Sequence, residues 1–215
     1  MGTDIHGYAE VRRRGAWEKV GAVFPYHWFD PTFPESEQNP RLTDEFFTER
    51  NYNLFAILAD VRNDHGAFVP IDTPRGLPDD LSVEMRAIVA ARRDRPHDES
   101  YLTLAELLAF DWDGWQTPYR GVIPEREWEH YRKYGRPRHW LPAIIEGPPI
   151  VVLDEPDYMA LRLHPALHDR SKNYFIRAAW TESYADAVAP FITQVLGKLV
   201  LLGKPEDVRI VFWFS

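Results

Sequence analysis

The run Asp4-Ile5-His6-Gly7-Tyr8-Ala9-Glu10-Val11 carries its chemically useful side chains at alternate positions. In an extended chain a two-residue period sends Asp4, His6, Tyr8 and Glu10 to one face and Ile5, Ala9 and Val11 to the other. A carboxylate two residues from an imidazole reaches the same ion or substrate. It favours the protonated ring, or orients the neutral ring by accepting its N–H. Asp4, His6 and Glu10 are therefore the candidate catalytic residues, suited to acid–base work or to metal binding. Gly7 leaves room for a group to approach the backbone. The plainer reading is a strand start capped by Asp4 and a histidine satisfied beneath a helix.

A ligand with a phosphate or carboxylate needs cationic donors. Arg50, Arg62 and Arg75 bracket one expected helix and its exit loop, and Arg75 sits on a stiff backbone between Pro70 and Pro78. With Asn51 they form the candidate ligand-binding set. Asn51 doubles as a helix N-cap. Against this, each arginine has acidic neighbours in Asp60, Asp64, Asp79 and Asp80 to pair with. The other histidines are His27, His65, His97, His130, His139, His164 and His168. No H-E-x-x-H helix occurs, and Pro165 spoils a shared helical face for His164 and His168. Third metal ligands from loops at His27, His65 or His97 are possible in space but invisible in sequence. The chain has no cysteine, which excludes disulfides, thiolate zinc sites and a cysteine nucleophile. No Walker loop, dinucleotide glycine fingerprint or G-x-S-x-G elbow occurs. The sequence identifies no cofactor and no metal.

These residues need elements to hold them. A hairpin follows from the turn at Arg13-Arg14-Gly15 and a returning strand at 17–20. Four prolines between Phe24 and Arg41 give a long ordered loop carrying His27 and Trp28, placed to overhang a site. Helices are predicted from Asn51 to a stop at Gly66, from 83 to 93 capped by Asp79, Asp80 or Ser82, and after a Thr103–Glu106 capping box. Residues 96–100 read as a loop and Asp111 to Trp115 as a tight, partly buried turn. Pro124 to Gly135 has the Pro-start, Gly-stop signature of a helix. Strands follow at 150–153, 159–163 and 174–180, then a long helix from Ser183 to Gly203. Residues 208–214, almost without polar side chains, read as a central strand buried on both sides, with the opening strand as its neighbour. Strands thus cluster at the ends and helices in the middle. The fold class is α+β, an antiparallel or mixed sheet of N- and C-terminal strands covered by helices from the middle.

With 215 residues and 45% hydrophobic content, the chain buries roughly 70% of its unfolded surface without a staple. One domain, residues 1–215, is the first expectation, and the length also permits an elaborate insertion. A net charge of −8 argues against a large phosphate-backbone footprint, so no extended nucleic-acid binding is expected. Eight tryptophans supply large contact areas for a core, an interface or a stacking pocket. No apolar run spans a bilayer and no signal-like opening is present, so no membrane partner and a cytoplasmic location are expected.

Four stretches together, Met1-Gly2-Thr3-Asp4-Ile5-His6, the run from Arg50-Asn51-Tyr52 to Val61-Arg62, Arg75-Gly76-Leu77-Pro78 and Val208 to Phe214, resemble a family of small uncharacterised proteins of bacteriophages and bacteria that often open M-G-C-D-I-H. Thr3 stands where cysteine is usual, and Ser215 where an acidic residue often follows the final aromatic. The resemblance implies a phage-type setting and no particular activity. The functional expectation is a site for a nucleotide-like or phosphorylated small molecule on the opening strand, processed by metal-assisted or acid–base hydrolysis. The alternative is a non-catalytic phage accessory protein that sequesters a nucleotide signal or binds a host protein through tryptophan-rich loops.

Overall fold

The structure, a computed structural model, describes residues 2–26, 41–92 and 95–215. The loop expected between Phe24 and Arg41, with His27 and Trp28, falls on 27–40 and lies outside the described residues. In chain order the first elements are β1 (Ile5–Arg13), β2 (Ala16–Lys19), β3 (Phe24–Tyr26), β4 (Arg41–Thr43) and α1 (Tyr52–Ala59). Next come α2 (Val83–Ala91), β5 (His97–Thr103), α3 (Leu104–Ala109), β6 (Gln116–Pro124), α4 (Trp128–Tyr134), β7 (Ile150–Leu153) and α5 (Glu155–Leu163). The chain continues through β8 (Asn173–Ser183), α6 (Tyr184–Ala187), a π-helical stretch Phe191–Leu196, α7 (Gly197–Val200) and β9 (Val208–Phe214). The fold is α+β. Its chain divides into two compact units, one of residues up to Trp115 together with Tyr184–Ser215, the other Gln116–Ser183.

In the first unit the sheet order is β2-β1-β9-β5. Arg14 and Gly15, at φ 51° and 85°, make the two-residue turn that joins Arg13 to Ala16, a geometry matching the twist of a hairpin. β9 is buried at all seven positions and pairs antiparallel with both β1 and β5. One sheet face, with Ala9, Leu102, Ile210, Phe212 and Phe214, packs in one core with Leu54, Phe55, Ile57 and Leu58 of α1 and with Phe191 and Val195. The opposite face, with Tyr8, Tyr101, Val211 and Trp213, packs with Leu81 and with Met85 and Ile88 of α2.

Glu10 and Arg209 face each other across β1 and β9 on that second face. Both are sealed from solvent. Arg209 donates to Glu10 Oε2 at 2.8 Å through Nε and to Asp80 Oδ1 at 2.6 Å through Nη1, while Glu10 Oε1 accepts the Ser82 N–H at 2.8 Å. Ser82 in turn caps α2 by accepting from the Met85 N–H. One buried carboxylate thus ties the sheet to the start of a helix.

Several elements differ from expectation. α1 stops at Ala59, because Asp60 takes up φ 59° as its C-cap and closes the helix before Gly66. Residues 97–103 are strand, since β9 offers them a free edge, with an irregularity in the pairing between His97 and Ser100 where Asp98 has φ 51°. The long helix expected from 183 to 203 runs from Tyr184 to Val200 with a turn at Val188 and a π-helical stretch at Phe191–Leu196, where Pro190 supplies no N–H and the Thr193 hydroxyl donates back to the Ala189 carbonyl. Residues 159–163 are helical, not extended, as part of α5. Asp154 at the N-cap, Pro156, and the acids Glu155 and Asp157 in the first turn were the signal for it.

The second unit holds strand order β6-β8-β7, antiparallel between β6 and β8 and parallel between β7 and β8. Ile123, Trp128, Tyr158, Ile176 and Trp180 form its core. Glu127, beside Trp128, is buried and accepts from the Arg138 backbone N–H at 3.2 Å and contacts His139 Nδ1 at 3.1 Å. Burial raises this carboxyl, but the hydrogen bonds from His139 and Arg138 outweigh it and bring it from 4.5 down to about 2. A depressed carboxylate stabilises the fold above its ordinary value and loses that contribution as pH falls through the folded one. Glu127→Gln is expected to destabilise the chain by about 2 kcal/mol at pH 7. In thermal melts the gap to wild type should close between pH 4.5 and about 2. A gap independent of pH would contradict this account.

Candidate functional site

Where β2 has turned away, the chain segment around Glu45 takes its place beside β1. The Phe46 N–H donates to the Gly7 carbonyl at 3.0 Å and Glu45 bridges Tyr8. The group brought near Gly7 is thus the Phe46 ring. On the other edge, β9 carries Trp213 opposite His6 and leads to Ser215. The imidazole of His6 is held by these two neighbours. Its Nε2 lies 3.1 Å from Ser215 Oγ, its Nδ1 lies 3.7 Å from Glu45 Oε1, and the ring stacks on Trp213 at 6.0 Å. The His6 side chain keeps 29% of its surface exposed, so both partners and solvent reach it.

With a proton on Nδ1 facing Glu45, Nε2 is left to accept the Ser215 hydroxyl hydrogen. Hydroxyl, imidazole and carboxylate in that order are the components by which a weak nucleophile is activated. Tyr8 completes the surround: its hydroxyl donates to Glu45 at 3.4 Å, and burial, reinforced by Glu45 and Asp44, pushes the phenol up to about 12. Tyr8 therefore remains a donor across the physiological range.

Asp4 lies two residues away, and its carboxylate is taken up by Arg50 in a two-pronged pair at 2.8 and 2.7 Å. The Arg50 hydrogen bond holds the Asp4 carboxyl below its usual range, with a smaller contribution from His6. Of the candidate cations, Arg50 is thus brought to Asp4. The remaining residues of the expected set go elsewhere. Glu10 shares no solvent-reachable space with His6, because both its oxygens are spent in the buried Arg209 and Ser82 network. Arg75 is neutralised by Asp72 and Glu106, each at 2.6 Å, and lies over the Tyr101 ring. Asn51 accepts the Leu54 N–H at 3.1 Å and donates to the Ala187 carbonyl, so it is spent as a cap.

Arg62 donates to Thr3 Oγ1 at 2.8 Å and edges a hollow of 330 Å³ with Asp60, His97 and Asp98. Three of these four, Asp60, Arg62 and Asp98, carry positive φ values of 59°, 58° and 51°, and His97 Nδ1 meets Asp98 Oδ2 at 2.6 Å. Among the described residues no group of three or more histidines and carboxylates is arranged to hold a metal ion.

Glu45, Trp213 and Ser215 were not anticipated as partners of His6. Nothing local in the sequence links positions 6, 45 and 215; the link is made by sheet pairing. Among the described residues no helix is long and apolar enough to cross a membrane. No protein-family model matches the chain, and neither the curated proteins nor the solved structures offer a similar one.

Proposed function

We propose that this chain is an acid–base hydrolase of a small phosphorylated or nucleotide-like substrate, working in the cytoplasm in a phage-type setting, with His6 as its proton-transfer group. The observation that carries the reading is the His6 ring set between a hydroxyl at 3.1 Å and a carboxylate at 3.7 Å while partly open to solvent. His6 Nε2 takes the proton from the attacking oxygen, of Ser215 or of water, as that oxygen bonds to phosphorus. The ring then returns the proton to the leaving oxygen as the old P–O bond breaks; where Ser215 attacked, a water deprotonated by the same nitrogen next attacks the phosphoserine, and the ring's proton goes to the departing serine oxygen. Glu45 and Asp4 flank the imidazolium formed between these steps and stabilise it. Arg62, hydrogen-bonded to the Thr3 hydroxyl, brings a guanidinium group for an anion to the same strand end, where the charge of Arg50 is already met by Asp4.

The test uses the full chain with p-nitrophenyl phosphate and bis(p-nitrophenyl) phosphate. Turnover by the wild type is expected to fall about 10²-fold in His6→Ala, at an unchanged melting temperature. Ser215→Ala separates attack by serine, which abolishes turnover, from attack by water, which leaves most of it. Absence of turnover in the wild type, with ligand recovered intact after denaturation, overturns catalysis and favours a sequestering protein.

A further inference from the structure

A hollow of 770 Å³ lies within the second unit, in the range that takes a nucleotide-sized ligand. Its lining combines three cations, Arg126, Arg138 and Lys172, with the aromatic side chains Trp140, Tyr174 and Phe175. For a chain of net charge −8 such a collection is unexpected. A cationic group recognises phosphate, and a ring face accepts a planar base whatever its identity.

The lining is also held in place. Buried Glu127 fixes the Arg138–His139 stretch through the Arg138 N–H and the His139 ring, while leaving the Arg138 guanidinium 3.5 Å away and its side chain 59% exposed. Trp140 is set edge-on against Trp180 at 5.1 Å, and Tyr119 stacks on Trp180 at 5.8 Å. Tyr174 is buried and backed by the His168 ring at 4.6 Å. His168 is fixed in turn by Glu125, 3.0 Å from its Nε2. Lys172 lies 3.8 Å from Asp169, and both Lys172 and Arg126 are exposed. The arrangement is therefore one of packed rings and held carboxylates beside exposed cations.

We infer that this hollow binds a small anionic aromatic ligand of the nucleoside monophosphate kind, its phosphate on Arg126, Arg138 and Lys172 and its base against Trp140 and Phe175. The inference does not rest on His6 and stands or falls apart from the hydrolase reading. It is tested by calorimetric titration of the full chain with adenosine 5′-monophosphate, adenosine and inorganic phosphate, followed in parallel by tryptophan fluorescence. The nucleotide is expected to bind and quench fluorescence, and to bind more tightly than either fragment. The double variant Arg126→Ala, Lys172→Ala alters two exposed side chains, so its melting curve should match the wild type, and it should bind the nucleotide about tenfold more weakly or worse. No binding by the nucleotide at millimolar concentration overturns the inference. So does unchanged affinity in the double variant, or phosphate binding as tightly as the nucleotide.

Discussion

Glu10→Ala is expected to destabilise the chain by about 3 kcal/mol or more, because it strips a buried guanidinium of the partner that neutralises it. Arg209 is only 4% exposed, lies 4.0 Å from the Trp17 ring centre, and would keep Asp80 alone. Asp80 is a solvated partner, 66% exposed at the side chain, so it replaces little of what Glu10 supplies. The Ser82 N–H at the start of α2 would lose its acceptor in the same step. A denaturant melt gives the number. The double variant Glu10→Met, Arg209→Met tests the cause: removing both charges together should recover most of the loss, since the desolvation of each is then no longer borne. If the single variant lies within about 1 kcal/mol of wild type, the network is not what fastens α2 to the sheet.

The second large effect is expected at Gly7. A Cβ built there would meet Phe46 Cε1 at 2.2 Å and Phe212 Cβ at 2.8 Å. Phe46 is fully buried, edge-on to Phe191 and Phe212, and Phe212 belongs to the central strand, so neither contact yields cheaply. Gly7→Ala is expected to cost about 3 kcal/mol, the upper end for overpacking a tight core. Phe46→Leu placed on the same background should relieve part of that loss. A Gly7→Ala protein as stable as wild type would mean that Phe46 does not press on the strand as described.

Much of the first unit was legible because its signals are local and agree with one another. Alternation over 4–11, the Arg14-Gly15 turn, Asn51 and Ser82 as caps and the Thr103–Glu106 box all depend on neighbours within a few residues, and all are found. The apolar run 208–214 announced a buried central strand, and its pairing with the opening strand follows from having one greasy face to match. The failures have equally definite causes. For 159–163 the apolar character outweighed the cap at Asp154, while for 97–103 a polar composition concealed a strand that exists through its partner. Polar alternation told which side chains of β1 share a face, not which of them face water. His6, near the strand end, stays partly open, whereas Glu10, four residues on, lies under α2.

The pairing of β1 and β9 has a consequence for synthesis. On a ribosome, β1, β2 and β5 emerge long before the strand that belongs between β1 and β5, and until position 214 is made they present unsatisfied backbone edges and apolar rings. The sheet of Gln116–Ser183, in contrast, is encoded within one continuous stretch and has every partner it needs once Ser183 has left the exit tunnel. Nascent chains stalled short of Val208 should therefore be rapid targets for chaperones and proteases in their opening third, with the later-made stretch already protected. His6 would stay without Trp213 and Ser215, and so without its machinery, until residues 213–215 have been made.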